Sequence, residues 1–358
     1  MDLVSALLVG GLALVIWSLG GGALVARLLR PHNADDCPAP AVVKIQGVRG
    51  ASGADLHVEI SGPVDGPPVV LTHGWGLDGG EWCYARERLA RRYRVITWDL
   101  PGLGQSGSPP VKDWSLEKLA GDLDAVLALA GDRPAVLVGH SIGGMITLTY
   151  CKLFLESLGR RVAGLVLAQT TYTNPVRTAG QAWLYTPLQK PVLEPLCHLM
   201  VWLAPVVWVL NWLSYLNGSA HRSTERGSFS GHENHFQLES LTRKFVGAWP
   251  GVIGRGMLAM FRYDATAVLP GIGVPTLVVV GDRDSSCSPE AGDFIARSVP
   301  GARLMRLDNA RHCGLYEYHG EFDTAVEEFI DSCGRAVDGP EEPPRPTREV
   351  QPVPPVTR

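Results

Sequence analysis

The sequence predicts an α/β protein: one large domain with a mostly parallel central sheet flanked by helices and interrupted by a helical insertion. Three observations carry this reading. Val136-Leu-Val-Gly139-His140-Ser141-Ile142-Gly143-Gly144-Met145 passes from β-branched and apolar residues, through a serine between glycines, into an Ala/Leu/Thr-rich stretch, which reads as strand, sharp turn and helix. Further apolar runs at 68–72, 95–98 and 275–280 each end in a Gly- or Asp-containing turn. Between residues 171 and 258 the strand-helix alternation is lost, as an insertion requires.

With 358 residues, 46% hydrophobic and 19% charged, the chain can bury a sizeable core. A net charge of -4 and no basic stripe argue against a nucleic-acid partner. The seven cysteines (37, 83, 151, 197, 287, 313 and 333) contain no Cys-x-x-Cys pair and are odd in number. They read as reduced thiols, which favours a reducing compartment.

Residues 3–26 carry no charge, about the 20 residues a helix needs to cross a bilayer. The first 30 residues therefore read as a single-pass transmembrane anchor. A secretory leader would begin with Lys or Arg, whereas here Asp2 leads and Arg27 and Arg30 follow. Those two arginines place the remaining chain on the cytoplasmic side. Glycines at 10, 11, 20, 21 and 22 would weaken a helix in water but are tolerated in membranes.

A polar linker, 31–40, leads into the first part of the core, 41–170. Residues 42–48 and 56–60 alternate as two edge strands. Pro68-Val-Val-Leu-Thr-His73-Gly74-Trp75-Gly76 is a buried strand entering a loop whose glycines allow main-chain N–H groups to approach a ligand. The run 95–106 is a strand followed by a turn built from Asp99, Pro101, Gly102, Gly104 and Ser106. Residues 115–130 place Leu116, Leu119, Leu123, Val126 and Leu127 at helical spacing, with Ser115 as the N-cap. That helix feeds the strand before Ser141 as a right-handed crossover. Gly139 and Gly143 give Ser141 the small neighbours that a strained, tight turn needs, the arrangement called a nucleophile elbow.

After a strand at 161–168 comes the insertion, 171–258. Its most apolar part, 192–216, holds Trp202, Trp208 and Trp212, and its length would allow a second membrane span. Glu194, Pro195, His198 and Pro205 favour short helices instead. His232-Glu233-Asn234-His235 lacks the spacing of a His-Glu-x-x-His zinc motif and reads as a loop or helix start, so no metal is expected. The second part of the core, 259–335, holds a strand at 275–280 ending in Gly281-Asp282-Arg283-Asp284. A last strand at 302–307 runs into Asp308-Asn309-Ala310-Arg311-His312-Cys313-Gly314, and a closing helix spans 321–333. The Pro- and Glu-rich residues 336–358 read as a disordered tail.

These segments together resemble the α/β-hydrolase family, in its lid-containing branch of serine esterases, lipases and perhydrolases. The resemblance implies a catalytic triad of Ser141, Asp284 and His312, in the chain order this fold requires. It selects Asp284 over Asp282, which belongs at the turn surface, and ranks Cys313 and His319 below His312 as the base. It implies an oxyanion hole from the backbone N–H groups of Trp75 and Ile142, with Gly74, Gly139 and Gly143 as the loop and elbow glycines. It makes His73 a brace of the oxyanion loop, Asp99 a structural turn residue and the insertion a lid. Arg311 departs from the Gly-His usually written at the base.

The expected activity is hydrolysis of a carboxylic ester, on a small lipophilic substrate, through an acyl-enzyme and without a cofactor. A perhydrolase, an acyltransferase or a C–C bond hydrolase would use the same triad. A catalytically silent receptor for an apolar ligand is the non-enzyme alternative.

Overall fold

The computed structural model describes residues 2–29, 37 and 42–338. Among them, eight strands form one sheet: β1 (Val42–Arg49), β2 (Asp55–Ser61), β3 (Pro68–Thr72), β4 (Arg94–Trp98), β5 (Ala135–His140), β6 (Val162–Ala168), β7 (Thr276–Gly281) and β8 (Arg303–Leu307). Their order is β1-β2-β4-β3-β5-β6-β7-β8. β1 and β2 pair antiparallel at the edge, and from β4 through β8 every pairing is parallel.

Parallel strands are covered on both faces, so each of their side chains needs an apolar partner. In β5, Leu137 joins a core containing Leu119 and Leu123 of α3 (Leu116–Leu127) and Ile146 of α4 (Ile142–Leu153). Its neighbours Val136 and Val138 join the opposite core, with Leu89 of α2 (Cys83–Leu89) and Phe322, Val326 and Phe329 of α14 (His319–Asp338). The period-two alternation of a strand thus divides one continuous apolar run between two cores. Further out, α12 (Pro289–Ser298) packs Ile295 into the first core, and α13 (Gly314–Glu317) packs Tyr316 into the second.

Register sets the site. Thr72 pairs with Trp98 and Gly139, His140 with Ala168, and Gly281 with Leu307. The carboxyl ends of β3 to β8 therefore lie along one edge, where open α/β sheets keep their ligand crevices.

Between β6 and β7 the chain forms α5 (Pro175–Thr178), α6 (Ala182–Leu188), α7 (Glu194–Trp202), α8 (Ala204–Leu216), α9 (Ser219–Ser228), α10 (His235–Gly247) and α11 (Pro250–Met260). The apolar stretch expected at 192–216 is not straight. The segments Ala182–Trp202 and Ala204–Leu216 meet at 93°, with Pro205 in the first turn of α8. The His-Glu-Asn-His segment is a helix start: Asn234 caps α10 and forms a capping box with Gln237. Ser115 stands at the N-cap of α3 but makes no side-chain cap, and the Asp113 carboxylate accepts the Ser115 N–H instead.

The N-terminal segment is a helix, α1 (Leu3–Leu29), and among the described residues no single helix is long and apolar enough to cross a membrane. The far end of α1 packs on the insertion: Gly21, Gly22 and Ala26 are buried, and a side chain at Gly22 would overlap the Tyr215 carbonyl of α8. The cysteines are not all reduced, because Cys37 and Cys83 form a disulfide that ties the linker to α2. Spacing carried no sign of this pair, since its partners are 46 residues apart. The tail from residue 339 onward lies outside the described residues.

Candidate active site

Ser141 follows β5 at φ 53° and ψ −118°, a backbone conformation that costs a non-glycine residue about 1–3 kcal/mol. The surroundings impose it. A side chain at Gly139 would overlap the Gly143 backbone, and one at Gly143 would overlap the Thr72 carbonyl. Thr170 Oγ1 donates to the Ser141 carbonyl at 2.6 Å. At the start of α4 the Ile142 N–H has no intrahelical partner, as for any residue in a first helical turn.

His312 lies in the loop after β8, with Nε2 3.0 Å from Ser141 Oγ and Nδ1 2.8 Å from Asp284 Oδ2. Asp284 is buried, and its Oδ1 accepts the N–H groups of Ser286 at 2.8 Å and Cys287 at 3.0 Å. A carboxylate surrounded by donors accepts a hydrogen bond from the Nδ1–H of His312, which turns the Nε2 lone pair toward the serine hydroxyl. Asp282 is exposed beside Arg306, away from this chain of contacts. Cys313 is buried and its thiol is pushed well above its ordinary pKa by burial, while His319 stacks on Tyr84 with ring centroids 3.9 Å apart.

The loop after β3 is held from two sides. Leu100 N–H donates to His73 Nε2 at 2.9 Å, so the His73 proton is on Nδ1, which donates to the Gly74 carbonyl at 2.8 Å. The Gly74 N–H donates to Glu81 Oε2 at 2.9 Å. The Trp75 indole donates to the Ile253 carbonyl at 3.2 Å and lies where a side chain at Gly256 of α11 would be. Asp99 accepts from the N–H groups of Gly79 at 2.7 Å and Gln105 at 2.8 Å, bracing the turn after β4.

Four residues that sequence reasoning missed surround this centre. Glu81 and His140 are both buried, with Glu81 Oε1 2.6 Å from His140 Nδ1, and His140 Nε2 is 2.9 Å from the His312 carbonyl. Burial pushes the Glu81 carboxyl up, but His140 beside it outweighs burial and holds it below its ordinary value. Burial lowers and Glu81 raises the His140 pKa, and the raising prevails. Gln169, at φ 47°, donates to the Arg311 carbonyl and accepts the Leu315 N–H at 3.1 Å, and with Thr170 it braces the base loop and the elbow. One signal was legible: a lone carboxylate at Glu81 between a Gly-Gly turn and Trp82. Arg311, which departs from the usual glycine, reaches the Arg226 carbonyl of α9 and so fastens the base loop to the insertion.

Ser141 and His312 open into a cavity of about 520 Å³. Met145, Met200, Met257, Met260, Leu196 and Phe261 supply much of its wall, so it is chiefly apolar. Among the described residues no group of three or more His, Cys, Asp or Glu could hold a metal ion.

Residues 69–325 match the family model described as the alpha/beta hydrolase family. The chain is 30% identical over 281 residues to a pimeloyl-[acyl-carrier protein] methyl ester esterase of Methylococcus capsulatus, covering 77% of this chain and 99% of that one. A thermophilic esterase from Thermogutta terrifontis superposes with TM-score 0.64 at 25% identity, covering 81% of this chain and 99% of its own. A membrane phospholipase A superposes with TM-score 0.64 at 19% identity over 93% of this chain and 98% of its own, a likeness of fold.

Proposed function

The chain belongs to the alpha/beta hydrolase family, and we propose that it is a serine esterase, anchored to a membrane, that hydrolyses lipophilic carboxylic esters through an acyl-enzyme. The observation that carries the reading is the Asp284–His312–Ser141 chain of contacts, 2.8 Å and 3.0 Å long, opening into the apolar cavity. In the proposed reaction, Ser141 Oγ attacks the ester carbonyl while His312 Nε2 takes its proton. Asp284 steadies the imidazolium, and the N–H groups of Trp75 and Ile142 donate to the carbonyl oxygen as it becomes negative. The proton passes to the departing alcohol, leaving an acyl-serine. Water, deprotonated by His312, releases the acid and restores Ser141.

Lipophilic substrate is supported by the cavity wall: its volume falls in the range of about 300–1,000 Å³ usual for small-molecule sites, and methionines let its shape adapt. A covering role for the insertion is supported by its residues Tyr185, Leu193, Leu196 and Met200, which line the same cavity as Ser141. Membrane association is supported by the apolar α1 and by the insertion's outer surface, where Trp183 is 79% and Trp202 is 77% exposed. For sidedness, Arg27 and Arg30 favour the cytoplasm, whereas the Cys37–Cys83 bond belongs to oxidising compartments.

The test is a series of p-nitrophenyl esters of increasing acyl length, offered with water, peroxide and alcohol as acceptors. Turnover rising with chain length, abolished by Ser141→Ala together with stoichiometric fluorophosphonate labelling, is the expected result. A wild-type protein that binds apolar ligands but neither labels nor turns over would be the silent receptor instead.

A further inference from the structure

We infer that Glu81 and His140 are positioning residues for this reaction: a buried pair, in contact with neither substrate nor reacting atoms, that holds the oxyanion loop, the elbow and the base loop in one arrangement. The inference rests on the serine-hydrolase reading above.

Each contact of the pair falls on a different piece of the site. Glu81 Oε2 accepts the Gly74 N–H at 2.9 Å, which consumes that donor and fixes the His73–Gly74 peptide, one before the peptide that carries the Trp75 N–H. His140 is the residue before Ser141, so its ring is anchored at the elbow itself. Its Nε2 is 2.9 Å from the His312 carbonyl and its ring centroid is 5.0 Å from the His312 ring. A carbonyl only accepts, so the Nε2 proton is committed to it. His140 Nδ1 and Glu81 Oε1 stand 2.6 Å apart as a close ion-pair contact, off the line of a hydrogen bond. The pair thus ties one ring nitrogen to the base loop and one carboxylate oxygen to the oxyanion loop, with Nδ1 and Oε1 pressed together between them. His140 is 1% and Glu81 2% exposed, so water does not substitute for a lost partner. Gly74 lies against the His140 ring: a side chain there would come within 2.8 Å of Nδ1. The oxyanion loop consequently cannot shift toward the elbow without moving the pair.

Isosteric replacements separate the contacts. In His140→Asn the amide nitrogen takes the place of Nδ1 and keeps Glu81 but loses the His312 carbonyl; His140→Gln does the converse. Glu81→Gln retains an acceptor for Gly74 and gains a donor for His140, whereas Glu81→Leu removes both. The experiment measures kcat and KM for p-nitrophenyl butyrate on the full-length protein, normalised to Ser141 labelled to completion by a fluorophosphonate, with thermal melting alongside. Displacing reacting groups by about an ångström costs up to roughly 100-fold in rate. We expect His140→Asn and Glu81→Leu to lower kcat on the order of 10- to 100-fold with KM within about threefold, and Glu81→Gln to restore most of the loss. Variants whose kcat per labelled serine is within about twofold of wild type, whatever their melting temperature, would overturn the inference and leave the pair a purely structural one. Should Glu81→Leu not fold, the two His140 variants decide. If the wild type itself neither labels nor turns over, the serine-hydrolase reading falls first; if it does both and the variants match it, only this inference falls.

Discussion

Ser141 holds a strained backbone at φ 53° because three neighbours leave it no alternative, and the strain presents its hydroxyl to His312. Gly143→Ala would drive a methyl group into the Thr72 carbonyl. We expect it to lower stability by about 1–3 kcal/mol and to abolish labelling of Ser141, measured by denaturant unfolding and fluorophosphonate capture. The two aspartates after β7 differ in burial and in partners: Asp284 accepts two backbone N–H groups and faces His312, while Asp282 is exposed beside Arg306. Asp284→Asn presents the wrong tautomer to His312 and should reduce kcat by about 10³–10⁴, whereas Asp282→Asn should leave it within about twofold. A reversed pattern in steady-state kinetics would reassign the triad acid. The family resemblance singled out Asp284, because the family pattern is itself local, and in the structure it is Asp284 that meets His312. Glu81, His140 and Gln169 stayed hidden because each is read only through a partner far along the chain.

Among the elements, α11 touches the chemistry through Gly256, on which the Trp75 indole lies. Alanine there gains helix propensity of about 1 kcal/mol, but its methyl group displaces the indole and with it the oxyanion loop. We expect Gly256→Ala to cut kcat several-fold while the melting temperature changes little, a combination visible in paired kinetics and calorimetry. In α14, burial pushes the Asp323 carboxyl up to about 8, against the opposing pull of Arg88. A raised carboxyl binds its proton more tightly in the folded protein than in the unfolded chain, so its stabilising effect is complete below the ordinary value of 3.8 and is lost as pH rises toward 8. Asp323→Asn should therefore flatten the fall in melting temperature between pH 4 and pH 8, measured by thermal denaturation across about that interval. The helix was evident from periodicity, but the depth at which this one carboxylate sits depends on how α14 lies over the sheet.

At the scale of the whole molecule, α1 and the insertion form one body, since Gly21, Gly22 and Ala26 are buried and Gly22 abuts Tyr215. On the membrane anchoring proposed above, deleting the first 29 residues should weaken recovery in membrane pellets yet leave the protein dependent on detergent, because Trp183, Trp202 and Leu210 remain exposed and the α1 contact on α8 is uncovered. Full solubility of the truncated protein in plain buffer would contradict a lipid-facing insertion. Thiol titration of the denatured, unreduced protein should find five free cysteines, and seven after reduction. The elbow, the strands and the apolar insertion were legible in the chain, because turn chemistry and hydrophobic periodicity act between near neighbours, while the order Ser141, Asp284, His312 came from the family resemblance. Only folding could reveal the 93° break between α7 and α8, the Cys37–Cys83 bond and the docking of α1. The same holds for the net by which Glu81, His140 and Gln169 bind three loops together. The hydrogen bonds of this net join residues up to 172 positions apart, and a separation of that kind leaves no local pattern: it is set by which strand ends the parallel register brings to the same edge.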